Sequence, residues 1–148
     1  MPLGTSVRAL GVDLGKLRVG LALSDETGTI ASPLTTIRRR RGKRAPLSQI
    51  EETALRHDVK VVVVGLPLDL SGCESDWSRE VREIARKLGA HLELPVHLID
   101  ERMSSVQAKQ AVRGIGLPRR KREERERVDS AAAAIILQRW LDQRRVAR

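Results

Sequence analysis

The sequence predicts an α/β fold in which a mixed five-stranded sheet carries helices on both of its faces. Three short strand-like segments open the chain and are joined by short turns, which is typical of an antiparallel meander. A run rich in β-branched valine follows at residues 59–64, as expected for a strand that is covered on both faces. Helical and strand-like segments then alternate, which indicates βα crossovers and parallel strands. The 148 residues, of which 41% are hydrophobic, predict a single domain, 1–148.

The first half of the chain is predicted to form the meander and one helix. Pro33 places the third strand at an edge of the sheet, because proline cannot donate a ladder hydrogen bond. A helix is predicted where Leu47, Ile50 and Ala54 recur at helical spacing. These elements are three strands at residues 7–14, 18–24 and 29–37 and a helix at residues 46–57.

The second half is predicted to supply the parallel strands and the remaining helices. Gly89 is expected to end the second helix, since glycine commonly stops a helical pattern. A dense charge run with two glycines and one proline, residues 114–127, is interpreted as a mobile loop. The predicted elements are a strand at 59–64, a helix at 76–88, a strand at 96–99, a helix starting near Ser104 and a last helix at 128–144.

The charge distribution favours a partner with a phosphate backbone. The chain has a formal net charge of +9, and residues 38–44 alone carry six positive charges and no negative one. Residues 113–148 hold eleven basic and five acidic residues. Such patches are typical of nucleic-acid binding or an anionic membrane surface, although a merely solvated surface remains the alternative. With two Trp, no Phe and no Tyr, base-stacking platforms are disfavoured.

Cysteine usage and hydropathy indicate a cytoplasmic protein. Cys73 is the only cysteine, which excludes an internal disulfide and every multi-cysteine zinc pattern. We expect its thiol to be inert, because reactivity needs an electropositive setting that the neighbouring sequence does not show. No apolar run approaches the roughly 18 residues of a membrane span, and the first residues lack a secretory signal.

Acidic residues stand at positions where a carboxylate is costly. Asp13 lies within an apolar strand, Asp100 and Glu101 follow the last strand, and Asp129 begins the stripe of apolar residues on the last helix. Each has a structural alternative: a turn Asp, a helix cap, or a first-turn acid favoured by the helix dipole. Asp100 and Glu101 cannot both face one cleft unless the strand has ended. Converging carboxylates are tolerated around a divalent cation, which links the group to phosphodiester chemistry.

Four blocks in order resemble the YqgF (RuvX-like) nucleases, a family of ribonuclease-H-like fold. The resemblance implies that Asp13, Glu101 and Asp129 are catalytic and bind Mg²⁺ or Mn²⁺, with Asp100 a weaker candidate. One departure is Cys73, where the family usually has Thr. The blocks are GVDLGKLRVGLALSD (11–25), VVVVGLPLDLSG (61–72), IDERMSS (99–105) and VDSAAAAIILQRWLD (128–142).

The resemblance also implies a nucleic-acid substrate. Family members are nucleases that mature the 5′ end of precursor 16S rRNA, so precursor rRNA is the expected partner. A Holliday-junction resolvase acting on branched DNA is one alternative and would require a homodimer with two sites, so a monomer would count against it. A non-catalytic RNA-binding module for ribosome assembly is another. The residues expected to contact phosphates are Lys16, Arg18, Arg102, Arg38, Arg39, Arg40 and Arg41.

Overall fold

The protein is described by a computed structural model that covers residues 7–39, 44–69, 71–101 and 121–147. Five strands form one sheet in the order β3-β2-β1-β4-β5, which confirms the predicted mixed α/β architecture. The strands are β1 (Ala9–Leu14), β2 (Arg18–Ser24), β3 (Ala31–Arg38), β4 (Val61–Leu66) and β5 (Val96–Asp100). The helices within these ranges are α1 (Leu47–Arg56), α2 (Asp76–Leu92) and α3 (Lys121–Ala147).

The sheet joins the antiparallel meander to two parallel strands. β1 pairs antiparallel with β2, and β2 with β3, whereas β1–β4 and β4–β5 are parallel. β3 forms an edge, as Pro33 predicted. Leu21 pairs with Thr35 and the next residue, Ala22, pairs with Pro33, so β3 has one extra residue here. The irregularity accommodates a residue that has no backbone N–H to donate.

Side-chain alternation along the strands divides the core into two layers. Leu10 and Val12 of β1 face α1 and α2 and belong to the cluster that includes Ile50 and Leu88. Ala9 lies on the opposite face, in a second cluster with α3 residues; its helical members include Ala133, Ile136 and Leu137. All six residues of β4 are buried, as predicted for a strand covered on both faces. Helices therefore cover both faces, and within the described ranges it is α3 that covers the face described below.

Two predicted boundaries are wrong. α2 does not stop at Gly89 but continues to Leu92 and ends at Glu93, which adopts a left-handed conformation with φ of 55°. Gly89 lies inside the helix where β5 approaches closely: a Cβ there would be 3.1 Å from Cγ2 of Val96. Packing against β5 therefore explains this glycine better than helix termination does.

The last helix begins at Lys121, seven residues before the predicted start at residue 128. Residues 121–127 were predicted as loop because of their charge density. Lys, Arg and Glu are all strong helix formers, so a charge run without glycine or proline extends a helix readily. The helix predicted near Ser104 and the loop predicted at residues 114–120 lie outside the described residues. Within the described ranges, no helix is both long and apolar enough to cross a membrane.

Candidate active site

The predicted acids of β1 and β5 meet where the carboxyl ends of the parallel strands lie, on the face of the sheet covered by α3. Asp13 is the penultimate residue of β1, and Glu101 directly follows the end of β5. The backbone N–H of Glu101 donates to the carbonyl of Leu66 at 3.2 Å, which ties it to the end of β4. Because β1, β4 and β5 are parallel, their carboxyl ends lie side by side, and α/β sheets commonly place ligand sites at such strand ends.

Asp13 and Glu101 form a hydrogen-bonded carboxyl pair. Burial, followed by the negative charge of Asp13, raises the pKa of Glu101 from 4.5 to about 9. Burial also raises the pKa of Asp13, while the hydrogen bond from Glu101 opposes that rise. Near neutral pH, Glu101 therefore carries the proton and donates it in a hydrogen bond to the Asp13 carboxylate. Two buried carboxyls within hydrogen-bonding distance of each other cannot both ionise without a compensating cation.

Asp129 approaches the same site from α3, and its carboxylate is held by Arg18. Nε of Arg18 donates to Oδ2 of Asp129 at 2.5 Å, although 111 residues separate them in sequence. Burial raises the pKa of Asp129, and the Arg18 guanidinium acts in the opposite direction. The negative charge of Asp129 also contributes to the raised pKa of Asp13, so the two carboxyls interact electrostatically.

Two strand glycines make room for these carboxylates. Gly20 pairs with Asp13 across β1 and β2, and a Cβ at Gly20 would overlap the backbone of Asp129. A Cβ at Gly65 would lie 2.6 Å from Cδ1 of Ile136 and 2.8 Å from Oε2 of Glu101. Glycine within a strand often marks a close approach, and that signal was available in both motifs.

The donor set suits a hard divalent cation. Within the described ranges, no group of three or more His, Cys, Asp or Glu side chains is placed to hold a metal ion. The Asp13–Glu101 pair nevertheless offers carboxylate oxygens that already need a positive charge to ionise together. Mg²⁺ is usually held by one or two carboxylates together with substrate phosphates, not by a complete protein cage. The Asp129 carboxylate is paired with Arg18 in the structure.

The basic residues predicted to contact phosphates occupy different environments. Lys16 lies with its Nζ 5.4 Å from the centre of the Trp77 ring, and the Arg39 guanidinium is 5.6 Å from the same ring. The Arg39 side chain is only 8% exposed and donates to the carbonyl of Gly15 and to Glu80. Its geometry is that of a structural residue between β3 and α2. Arg38 is about half exposed and lies 3.8 Å from Glu126. Arg40, Arg41 and Arg102 lie outside the described residues.

Asp100 and Cys73 are two further residues that the sequence motifs singled out. Asp100 is the last residue of β5, so side-chain alternation directs it away from the α3-covered face on which Glu101 lies. The negative charge of Asp100 contributes to the raised pKa of Glu101. Cys73 is exposed, and its backbone N–H donates to Oδ1 of Asp69 at 2.9 Å. Asp69 also accepts from the backbone and hydroxyl of Ser71, so this carboxylate organises the loop after β4.

Comparison with known proteins finds relatives along nearly the whole chain. The family "RuvX: Holliday junction resolvase" matches residues 7–143. A protein of Anaeromyxobacter sp. (strain K), named "Putative pre-16S rRNA nuclease", is 47% identical over 138 residues, which cover 93% of this chain and 98% of that protein. A protein of the same name from Crocosphaera subtropica is 40% identical over 141 residues, covering 95% and 96% of the two chains.

Solved structures share the fold at lower identity. The RuvC protein of T. thermophilus, in complex with a Holliday junction substrate, aligns with a TM-score of 0.57 and 21% identity. The alignment covers 93% of this chain and 96% of that chain. The same protein determined separately aligns with a TM-score of 0.55. This likeness confirms the predicted ribonuclease-H-like fold.

Proposed function

The chain belongs to the RuvX (YqgF) family, and on that premise we propose that it is a divalent-metal-dependent nuclease that acts on precursor 16S rRNA. The observation that carries the proposal is the buried carboxyl pair of Asp13 and Glu101, with Asp129 beside it. Burying two carboxyls that share a proton costs folding stability, and carboxyls with strongly shifted pKa values cluster at functional sites.

Each carboxylate has a distinct part in the proposed site. Asp13 is the ionised member of the pair and would hold a Mg²⁺ or Mn²⁺ ion together with Glu101 once Glu101 has lost its proton. Asp129 would complete the set from α3. When bound, the cation supplies Lewis acidity at the phosphoryl group and activates a water molecule. The protein itself contributes the burial that excludes bulk water and strengthens these charge interactions.

Basic residues around the carboxylates would hold the nucleic-acid backbone. Lys16 lies in the turn between β1 and β2, and Arg18 is the first residue of β2, so both are close to Asp13 in sequence. Arg38 lies at the end of β3, and Arg40, Arg41 and Arg102 stay predictions from the sequence. Arg39 contributes indirectly in this proposal, because its buried guanidinium holds the Gly15 turn against Glu80. Contacts of this kind position the backbone without reading bases.

The names of the curated relatives support an rRNA substrate, and the family description supports a second candidate. The 47% and 40% identical relatives carry the name "Putative pre-16S rRNA nuclease", which favours precursor 16S rRNA as the substrate. The family description names a Holliday junction resolvase instead. Both activities hydrolyse phosphodiesters at the same carboxylates, so the substrate test separates them.

The decisive experiment offers the purified protein two substrates with Mn²⁺: a precursor 16S rRNA 5′-leader fragment and a four-way DNA junction. We expect cleavage of the rRNA fragment, loss of cleavage with EDTA, and loss of cleavage in Asp13→Asn without loss of RNA affinity. Asp58→Asn, in an exposed turn far from the pair in sequence, is the matched control and should cleave normally. Equal cleavage by the wild type and Asp13→Asn would reject this site. If the protein makes paired cuts in the junction, leaves the rRNA fragment intact and is a dimer by light scattering, the resolvase activity is favoured.

A further inference from the structure

Arg18 lies beside Asp129 and neutralises the carboxylate charge that a metal cation would otherwise neutralise. The ion pair joins the first residue of β2 to α3, and both side chains are partly accessible to water, at 28% and 21% exposure. Arginine remains charged throughout the working pH range, so it is a permanent counter-ion. In the protein without metal, the carboxylate of Asp129 is thus already partnered.

The same guanidinium is suited to bind a phosphate. It has five N–H donors in a planar fork, and the bond to Asp129 uses the one on Nε. Arginine binds carboxylates and phosphates through the same bidentate geometry, so the two anions compete for one group. The side chain also begins at the strand end where Asp13 and Glu101 meet, so a phosphate brought to these carboxyls comes within its reach.

We propose that Arg18 is a positioning residue that exchanges Asp129 for a phosphate of the nucleic acid. This inference rests on the proposed nuclease function and concerns the order of events at the same site. In the free protein, Arg18 holds Asp129 and leaves Asp13 and Glu101 as a weak cation site. When the backbone binds, Arg18 moves to the phosphate and Asp129 becomes available as a third carboxylate. Cation binding and nucleic-acid binding are then coupled, and each strengthens the other.

The test measures Mn²⁺ binding to the free protein by the loss of its solution electron-spin resonance signal. In Arg18→Gln, Asp129 loses its internal counter-ion, so we expect Mn²⁺ affinity to rise by about tenfold, within the usual range of coupling between sites. Arg18→Lys keeps the charge without the planar fork and should show a smaller increase. Arg56→Gln, which removes an exposed arginine of α1, should leave Mn²⁺ affinity unchanged.

A second measurement follows RNA affinity in EDTA as a function of salt. Arg18→Gln should bind the precursor fragment more weakly, with a salt slope lower by about one, because one phosphate contact is lost. A purely structural Arg18 would lower Mn²⁺ affinity or leave it at the wild-type value, and either result overturns the inference. If Arg18→Gln does not fold, the titration of Arg18→Lys decides: a raised affinity supports the exchange, and wild-type or lower affinity overturns it.

Asp13→Asn separates this inference from the proposed function. If Asp13→Asn loses both Mn²⁺ binding and cleavage while Arg18→Gln binds Mn²⁺ as the wild type does, only the exchange by Arg18 is wrong. If Asp13→Asn keeps wild-type Mn²⁺ binding and cleavage, the proposed site is wrong, and the inference falls with it.

Discussion

Gly20 of β2 lies directly against the backbone of Asp129 in α3. Gly20 is also the cross-strand partner of Asp13, so one missing side chain lets α3 bring its carboxylate close to that of β1. A Cβ at Gly20 would overlap the carbonyl group of Asp129. The distance between strand and helix at this point is therefore set by the absence of a side chain.

Gly20→Ala should damage the site more than the fold. The added methyl must push α3 away from the sheet around Asp129, which we expect to cost about 1–3 kcal/mol of unfolding free energy, as overpacking usually does. Cleavage should fall by at least about 100-fold, because a small misplacement of a reacting group has effects of that size. Urea unfolding and Mn²⁺-dependent cleavage measure the two effects.

Gly89→Ala is the control for Gly20→Ala. Its Cβ would meet Val96 at 3.1 Å on the opposite side of the sheet, away from the carboxylates. It should change stability without changing cleavage at temperatures where the protein is folded. Wild-type cleavage by Gly20→Ala would show that the close approach at Asp129 is irrelevant to the reaction.

The raised pKa of Glu101 predicts a specific pH dependence of stability without metal. The folded protein keeps a proton on Glu101 up to about pH 9, whereas the unfolded chain releases it near 4.5. The stabilisation from this proton is complete below the pKa of the unfolded chain and is lost as the pH rises toward the pKa of the folded protein. The unfolding free energy therefore decreases between pH 4.5 and about pH 9. Glu101→Gln should flatten the decline measured by urea unfolding in EDTA.

An exposed acid provides the control for Glu101→Gln. Glu52→Gln removes a carboxylate of α1 whose side chain is 69% exposed, and it should reproduce the wild-type curve. If Glu101→Gln also follows the wild-type curve, the carboxyl pair does not hold the extra proton.

Gln138 of α3 is expected to be the polar anchor of the edge strand. Its Oε1 accepts from the backbone N–H of Ala31, and its Nε2 donates to the carbonyl of Thr29, both at 2.9 Å. Gln138→Ala should lower the unfolding free energy by about 2 kcal/mol, since each such bond contributes roughly 1 kcal/mol. Gln143→Ala, at an exposed position of the same helix, should change it by less than about 0.5 kcal/mol. Equal losses in the two variants would contradict this role.

The basic segment at residues 38–41, which begins with the last residue of β3, should control the salt dependence of RNA binding. Arg38, Arg40 and Arg41 are changed together to Gln, and Arg39 is kept because its buried side chain holds the Gly15 turn. RNA affinity should fall for all sequences, and the slope of log affinity against log salt should decrease by up to about 3. Filter binding over a salt series measures both.

A matched control removes three exposed arginines elsewhere. Arg56, Arg79 and Arg86 are 64%, 61% and 66% exposed on α1 and α2, so their change to Gln alters the net charge equally. The control should keep a slope close to that of the wild type. An equal fall in both triple variants would mean that net charge, not the basic segment at residues 38–41, governs binding.

Much of the fold could be predicted because its signals are local. Pro33 indicated an edge strand, and the apolar run that became β4 indicated burial on both faces; the structure confirms both. The two errors arose where one residue type had two explanations. Gly89 was interpreted as a helix stop although it accommodates β5, and the charge run at 121–127 was interpreted as a loop although its residues favour helix.

The sequence by itself determined which strands form, which residues alternate onto each face, and that Asp13 and Glu101 fall at strand ends. These properties depend on backbone geometry over a few residues, so local patterns contain them. Only the tertiary structure decided that Asp13 and Glu101 share a proton and that Arg18 holds Asp129 across 111 residues. Those relationships depend on how closely α3 packs on the sheet. Glycine at positions 20 and 65 permits that close packing because a Cβ at either position would clash with α3.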